Sequence, residues 1–288
     1  MFYLTHILIL LSIYIILCLG LNLLAGNTGL MNLSQAAFYG LGSYLSAIFL
    51  TNFHLNFFII ILLTIIIMMA ISWPIGYILN RIKGDDFALA TLGINIIMYE
   101  LVMNLTSITN GPVGIVGVPR PTIGNFTLNN NYSFLFLCVV ALVIIYILTL
   151  IISRSSFGRV LKFIRDDEDT AKSFGYKTGQ YKLTVFIFNA SITAVAGTLF
   201  ASFARMIEPT ALYTSESILI LSAVILGGLS NHIGSIFGAV IIVTLPEILR
   251  FIGLPSAIET QARQILYGLM LVSFMFYRPQ GIFGRYKL

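Results

Sequence analysis

"LNFFIIILLTIIIMMAISWPIGYIL", from Leu55 to Leu79, contains no charged residue. A helix rises 1.5 Å per residue, so roughly 20 apolar residues cross a hydrocarbon core of ~30 Å. This stretch is long enough to do so, and it sets the class of the whole chain. Of the 288 residues, 58% are hydrophobic and only 9% are charged. The first 80 residues carry no Lys, Arg, Asp or Glu at all.

Similar apolar runs lie near residues 6–24, 36–51, 87–106, 133–153, 183–204, 216–229, 236–253 and 264–277. The pattern predicts an all-α membrane protein, a polytopic bundle of about 8–10 transmembrane segments. It reads as a single transmembrane domain over residues 1–288. The start, "MFYLTHILILLSIYIILCLGLNLL", lacks a basic leader region and reads as a first span rather than a cleaved signal. Cys18 and Cys138 fall inside apolar runs and read as small buried hydrophobes.

The net charge of +5 does not mark a nucleic-acid binder, because the cations sit beside apolar runs, where they set topology. Seven of the 16 Lys and Arg, and four of the 11 Asp and Glu, lie between Arg154 and Lys182. That segment, the stretch from Asn80 to Asp86 and the tail from Arg278 to Leu288 are therefore expected on the cytoplasmic side. The loop over residues 107–131 has one Arg and many Gly, Pro and Asn, and reads as external. "AGNTGLMNLSQA" (Ala25 to Ala36) is polar between two apolar runs and reads as a broken or re-entrant helix. Nine full spans would put the N-terminus outside; a re-entrant segment would put both ends inside.

Phe157, Val160, Leu161, Ile164, Ala171 and Phe174 recur at helical spacing, which predicts two short helices with a turn near Arg165–Asp166. Asp166 and Asp167 suit the start of the second helix, and Gly175 suits its end, where φ > 0 is wanted. The apolar stripe, with four consecutive acids from Asp166 to Asp169, suits docking on a protein partner better than a bare lipid surface. Glu100 sits within an apolar run, where a carboxylate is costly unless it faces a cavity or a partner. It reads either as lining a path or as bonded to a neighbouring helix. Gly227, Gly228, Gly234 and Gly238 form a small-residue block expected to support close helix packing. No metal-binding, hydrolytic or nucleotide-binding motif occurs.

Five blocks in order resemble permease subunits of branched-chain amino-acid ABC importers, of the LivM/LivH family. They are "LAGNTGLMNLSQAAFYGLGSY" (from Leu24), "FALATLG" with "LTSITNGPVGI", "GRVLKFIRDDEDTAKSFGYKTGQYKL", "LGGLSNHIGSIFGA" and "YRPQGIFG". The resemblance covers nearly the whole chain. It implies a non-enzymatic subunit in the bacterial cytoplasmic (inner) membrane, with a fold of the vitamin B12 importer type. Its implied partners are two ABC ATPases, a second permease of LivH type or a second copy, and an extracytoplasmic substrate-binding protein. Membrane lipid surrounds it, and no nucleic acid is involved. This chain would bind no cofactor; ATP and Mg would belong to the ATPases. The segment 154–182 would couple to them through Phe157, Gly158, Arg159, Arg165, Asp166, Asp167, Glu168, Asp169, Ala171 and Gly175. Gly26, Thr28, Gly29, Asn32, Ser34, Asn95 and Glu100 are the candidate residues of the translocation pathway. Where the family commonly has Gly-Glu, this chain has Asn95 and Ile96, with Glu100 one turn later. Permeases for urea and other small solutes share the scaffold, so the substrate stays open. Glu100 and the Gly26–Gly29 break also suit an ion-coupled secondary transporter.

Overall fold

The computed structural model describes residues 2–53, 56–82, 84–123, 126–127, 130–251, 265–269, 272–273 and 281–284. The expected span near 264–277 and the tail from Arg278 lie largely outside the described residues. Helix α1 (Phe2–Leu21) runs into a π-turn over Asn22–Gly26. After a non-helical stretch come α2 (Gln35–Phe53), α3 (Phe57–Leu79) and α4 (Asp85–Asn104). The loop after α4 holds a one-turn helix α5 (Thr106–Thr109), a 3-10 turn (Gly111–Val113) and strands β1 (Ile115–Val116), β2 (Thr122–Ile123) and β3 (Phe126–Thr127). Helix α6 (Asn131–Arg154) leads into α7 (Ser156–Asp166) and α8 (Glu168–Ser173). Then follow α9 (Thr178–Ala204), β4 (Met206–Ile207), a 3-10 turn (Pro209–Leu212), α10 (Thr214–Gly227) and α11 (His232–Phe251).

Among the described residues, five helical segments are long and apolar enough to cross a membrane: Tyr3–Gly26, Phe57–Leu79, Asp85–Asn104, Asn131–Arg154 and Thr178–Ala204. Several expected boundaries move. The span expected from 183 begins at Thr178, because the Lys182 side chain is buried and its charge is met inside the fold by Glu168. The span expected from 236 begins at His232, where the Asn231 side chain accepts the Ile233 N–H.

Contacts fix the relative directions. The His6 ring packs on Phe203, and Gly20 lies against Asn189 and Ile192, so α1 and α9 are antiparallel. Gln35 bonds to Asn189 and Thr193 while Tyr39 and Ser43 lie against Gly197 and Tyr39 against Phe200, so α2 runs parallel to α9. Gln35 stands at the start of α2, and Asn189 and Thr193 near the middle of α9. Helix α2 therefore starts at mid-depth and runs to the end where Ala204 lies. Leu212, just before α10, packs on Gly40 and accepts from Asn95 at the middle of α4. Helix α10 also starts at mid-depth, and it runs the opposite way, ending beside Asn22 and Gly26.

The succession of full helix, break, half-helix and return helix thus occurs twice, as α1–α2–α3 and as α9–α10–α11, in opposite senses. No repeat is evident in the sequence. Arg81, Arg154, Arg159, Lys162, Arg165, Lys172, Lys177 and Lys182 gather at one end, which is therefore cytoplasmic. Phe2 then starts on the outer side. The break at residues 27–34 climbs from the cytoplasmic end back to mid-depth, the re-entrant alternative in part, while α1 still crosses in full. Trp73 and Tyr77 stack on the exposed face of α3 near this end, with the Arg81 guanidinium 5.9 Å from the Tyr77 ring, as an interfacial anchor requires.

In lipid, helices associate through close packing of small residues rather than by exclusion of water. A Cβ on Gly238 would strike the Ala223 carbonyl, one on Gly227 the Gly234 carbonyl, and one on Gly228 the Gly284 N–H. The block therefore seals α10, α11 and the segment 281–284 together, with Ile282 and Phe283 donating to Leu226 and Gly227. Gly93, by contrast, has no atom within 4 Å of an added Cβ. Gly238→Leu should sharply reduce folded yield in detergent, measured by size-exclusion chromatography, while Gly93→Ala should match or slightly exceed the parent.

Candidate functional site at the helix break and its cytoplasmic hairpin

Non-helical backbone inside a membrane must have its polar groups met by protein. The break does this largely with its own side chains. The Thr28 hydroxyl donates to the Leu24 carbonyl at 2.7 Å, and the Gly29 N–H, at φ +73°, to Ala25 at 2.9 Å. Leu33 N–H reaches Thr91 at 3.0 Å, and the Asn32 carbonyl oxygen takes both the N–H and the hydroxyl of Ser34. Asn32 is fully buried, and its Nδ2 has no partner among the described residues.

At mid-depth Asn95 joins the two half-helices. Its Oδ1 accepts the Ala37 N–H at 2.9 Å and the Ser217 hydroxyl at 3.4 Å. Its Nδ2 donates to the Leu212 carbonyl at 3.0 Å and to Thr214 at 3.3 Å. The Ser217 hydroxyl also accepts the Ala36 N–H at 2.8 Å. Two N–H groups that the start of α2 would otherwise strand are thus met. A second cluster, Gln35 with Asn189 and Thr193, ties the same helix start to α9. Asn95 was expected to line a path. It is instead wholly buried with its amide fully engaged, so in this conformation it holds two helices rather than facing a ligand.

The hairpin of α7 and α8 caps the cytoplasmic end. Asp167, between the two helices, accepts from the N–H groups of Asp169 and Thr170 and from the Thr170 hydroxyl. The turn therefore sits at Asp167, slightly later than expected, because this carboxylate is the N-cap. Gly175, at φ +85°, closes α8: its N–H reaches Lys172 and that of Tyr176 reaches Ala171, the two bonds of a Schellman end. Burial alone would raise the pKa of Glu168, but bonds from Lys182 and Lys172 outweigh it and hold the carboxyl below its usual range. These bonds fasten α8 to the first turns of α9.

Most of the apolar stripe faces inward, and of it Phe174 alone is left fully outside. Gly158, Leu161, Ile164 and Ala171 are buried against this chain, and a Cβ on Gly158 would strike the Ser153 carbonyl. Phe157 stacks on Tyr181. Amphipathic periodicity identifies an apolar face but not its partner, and here the membrane helices cover it. What the hairpin presents outward is Arg159, Asp166, Asp167, Asp169, Gly175 and the ring of Phe174, which is 73% exposed. Arg165 points the other way. Its Nη1 donates to the Gly26 carbonyl at 2.7 Å, while Nε and Nη2 hold Asp166 at 3.2 Å.

The cytoplasmic end of the break is also tied to the turn before α11. Asn22 takes the Ser230 N–H and donates to Asn231, and the Ser230 hydroxyl donates to Asn27. Gly26 is squeezed between Asn22 and Ser230. The structure thus sets Arg165, Gly26, Thr28, Gly29, Asn32, Ser34 and Asn95 in a succession of polar clusters along the break. Glu100 stands apart, one turn from the end of α4, on the exposed face with Ile96, Ile97 and Leu101, bonded to Asn104. The sequence reading passed over Gln35, Asn189, Thr193, Ser217 and Glu216. Glu216 lies in the first turn of α10 and accepts from the Tyr14 hydroxyl at 3.1 Å. An amide within an apolar span, such as Asn189, is the signal that marks such a residue.

The family described as "Branched-chain amino acid transport system / permease component" matches residues 3–275. The chain is 31% identical to the high-affinity branched-chain amino acid transport system permease protein LivM of Salmonella typhimurium, over 94% of this chain and 67% of that protein. The Escherichia coli LivM protein matches with the same identity and coverage. The LivH permease protein of the same system in S. typhimurium is 24% identical, over 95% of this chain and 92% of that protein. No solved structure matches.

Asn95→Leu keeps the volume and strands several buried groups at about 1–3 kcal/mol each. It should lower the melting temperature in detergent by several degrees, whereas Asn104→Leu, exposed on the same helix, should not. A second outcome concerns pH. Bonds from the Thr170 hydroxyl and N–H, and then from Asp169 N–H, hold the Asp167 pKa below the usual carboxylate range. The cap is therefore complete above that range and is lost as pH falls beneath it. Protection factors at Asp169 and Thr170, exchange relative to the intrinsic rate at the same pH, should fall on such acidification, and Asp167→Ala should show the low protection already at neutral pH.

Proposed function

The chain belongs to the permease family of branched-chain amino acid transport systems, and from that premise we propose that it is the translocation subunit of an ATP-driven importer for branched-chain, apolar amino acids. It is a multi-pass subunit of the bacterial cytoplasmic membrane, and a transport subunit rather than an enzyme. Residues 1–288 form one transmembrane domain of the vitamin B12 importer type, with residues 154–182 as its coupling element and 107–131 as its external loop. It pairs with a second permease, of LivH type or a second copy, on two ATPases that hold ATP and Mg. An extracytoplasmic binding protein delivers the substrate from the side where the 107–131 loop lies.

The observation that carries this reading is the capped hairpin with its inward-pointing Arg165. A partner pressing on Phe174 and the Asp166–Asp169 acids moves α7. Arg165 passes that movement to the Gly26 carbonyl, at the cytoplasmic end of the break. The break and the Asn95 clamp then carry it to the half-helices, giving alternating access, and the nucleotide state shifts the equilibrium only by its differential affinity for the two arrangements. In this mechanism Gly26, Thr28, Gly29, Asn32 and Ser34 act as the hinge beside the path. Glu100, on the exposed face of α4, faces the path shared with the second permease.

The experiment is uptake into proteoliposomes holding the permease pair, the ATPases and the binding protein. Leucine, isoleucine and valine should accumulate only with internal ATP, and excess urea should not compete. Uptake driven by a proton or sodium gradient without ATP would overturn the reading. Gly175→Val meets open space but places a β-branched residue at φ +85°, a strain of about 1–2 kcal/mol in the hairpin end. It should abolish stimulation of the ATPases by loaded binding protein while the permease still inserts.

A further inference from the structure

At the cytoplasmic end, α6, α7 and the start of α11 enclose a cleft of about 500 Å³. Tyr146, Leu150, Ser153 and Arg154 of α6 line one wall, Lys162 and Arg165 of α7 the roof, and Ser230 to Ile233 the far wall. Arg154, Lys162 and Arg165 converge on it. Asp166 lies on the Nε and Nη2 edge of Arg165, and among the described residues no carboxylate pairs with Arg154 or Lys162. His232 stands edge-on to Tyr146 and feels both Lys162 and Arg154. The N-terminus of the 20-residue helix α11 points its dipole into the same space. Burial, and then the charge of Arg165, lower the pKa of Lys162.

The cleft is not only basic. Along α6, Tyr146 lies two turns deeper than Arg154, about 12 Å along the axis. Ile147 and Ile151, next to this wall around α6, are exposed, as is Ile233 on α11. A basic chamber at headgroup level thus opens onto apolar helix surface at acyl-chain level. We propose that this cleft binds the phosphodiester headgroup of an anionic phospholipid, with its acyl chains lying along α6. The shared chemistry is a phosphate among Arg154, Lys162 and the start of α11. A free phosphate would use the cations but gain nothing from the apolar wall, and an acidic protein surface would not reach the Tyr146 level. A lipid seated there contacts α7 and α11 together, and so steadies the hairpin on the membrane domain.

The test uses the purified full-length permease in a neutral detergent, so it does not depend on the transported substrate. Native mass spectrometry follows titration with phosphatidylglycerol, with phosphatidylcholine of the same chains, and with inorganic phosphate. Phosphatidylglycerol should bind clearly more tightly than phosphatidylcholine. Arg154→Gln and Lys162→Gln should each weaken it roughly fivefold. The charge-keeping pair Arg154→Lys with Lys162→Arg should retain the preference, and lipid-free melting temperatures show whether each variant is folded. Equal binding of the two lipids, or no change in the glutamine variants, would overturn the proposal. Saturation by inorganic phosphate that phosphatidylglycerol fails to displace would replace the lipid with a free anion. Unchanged lipid binding with loss of ATPase co-purification would make the cleft a protein contact instead.

Discussion

Inside hydrocarbon there is no water to take up an unpaired N–H, and two helices of this fold start there. Each half-helix start exposes N–H groups and the positive end of a dipole. At α10 the Glu216 carboxylate meets the dipole from the first turn, but at the fully buried junction of the two helices a charge would be costly. A neutral amide avoids that cost and can donate and accept at once. Asn95 accepts from the start of α2 and donates to the chain entering α10, so a single side chain holds both elements at one level. Removing the amide would strand the Ala37 N–H and the Leu212 carbonyl in an environment that cannot solvate them.

From that point separate polar clusters succeed one another toward the cytoplasm. Gln35 with Asn189, the Asn32–Ser34 turn, Thr28, and Asn22 with Ser230 follow one another down the break. The series ends at the Gly26 carbonyl, which Arg165 holds from the hairpin. Polar bonds in a low-dielectric interior have sharp geometric preferences, so such clusters favour discrete arrangements over gradual deformation. This is the physical basis on which we propose movement at the break and transmission through the Asn95 clamp.

The hairpin shows how the same residues divide between holding and presenting. Leu161, Ile164 and Ala171 secure it to the membrane helices, and Glu168 locks it to Lys182. Phe174 and the acids are left on the outside. The coupling role proposed for it needs both faces: a rigid seat to transmit force, and an exposed surface to receive it. The basic cleft beside α7 adds a third contact, with the bilayer itself.

The sequence alone determined that the chain crosses a membrane, because apolar length against bilayer thickness is a property of local composition. It also determined which end lies in the cytoplasm from the clustered cations, and it located the break, the hairpin with its Gly175 end, and the small-residue block. Those signals depend on neighbours within a few residues. It left open whether the break was a full turn-back, it turned the hairpin's apolar stripe toward a partner where most of it packs inward, and it could not say what Asn95 touched. It gave no sign that the α1–α2–α3 succession returns inverted as α9–α10–α11. Those points rest on contacts between residues more than a hundred positions apart, such as Asn95 with Leu212 and Arg165 with Gly26. Only the tertiary structure decided them, because a side chain's type sets what bonds it can make, while packing decides which group is there to make them.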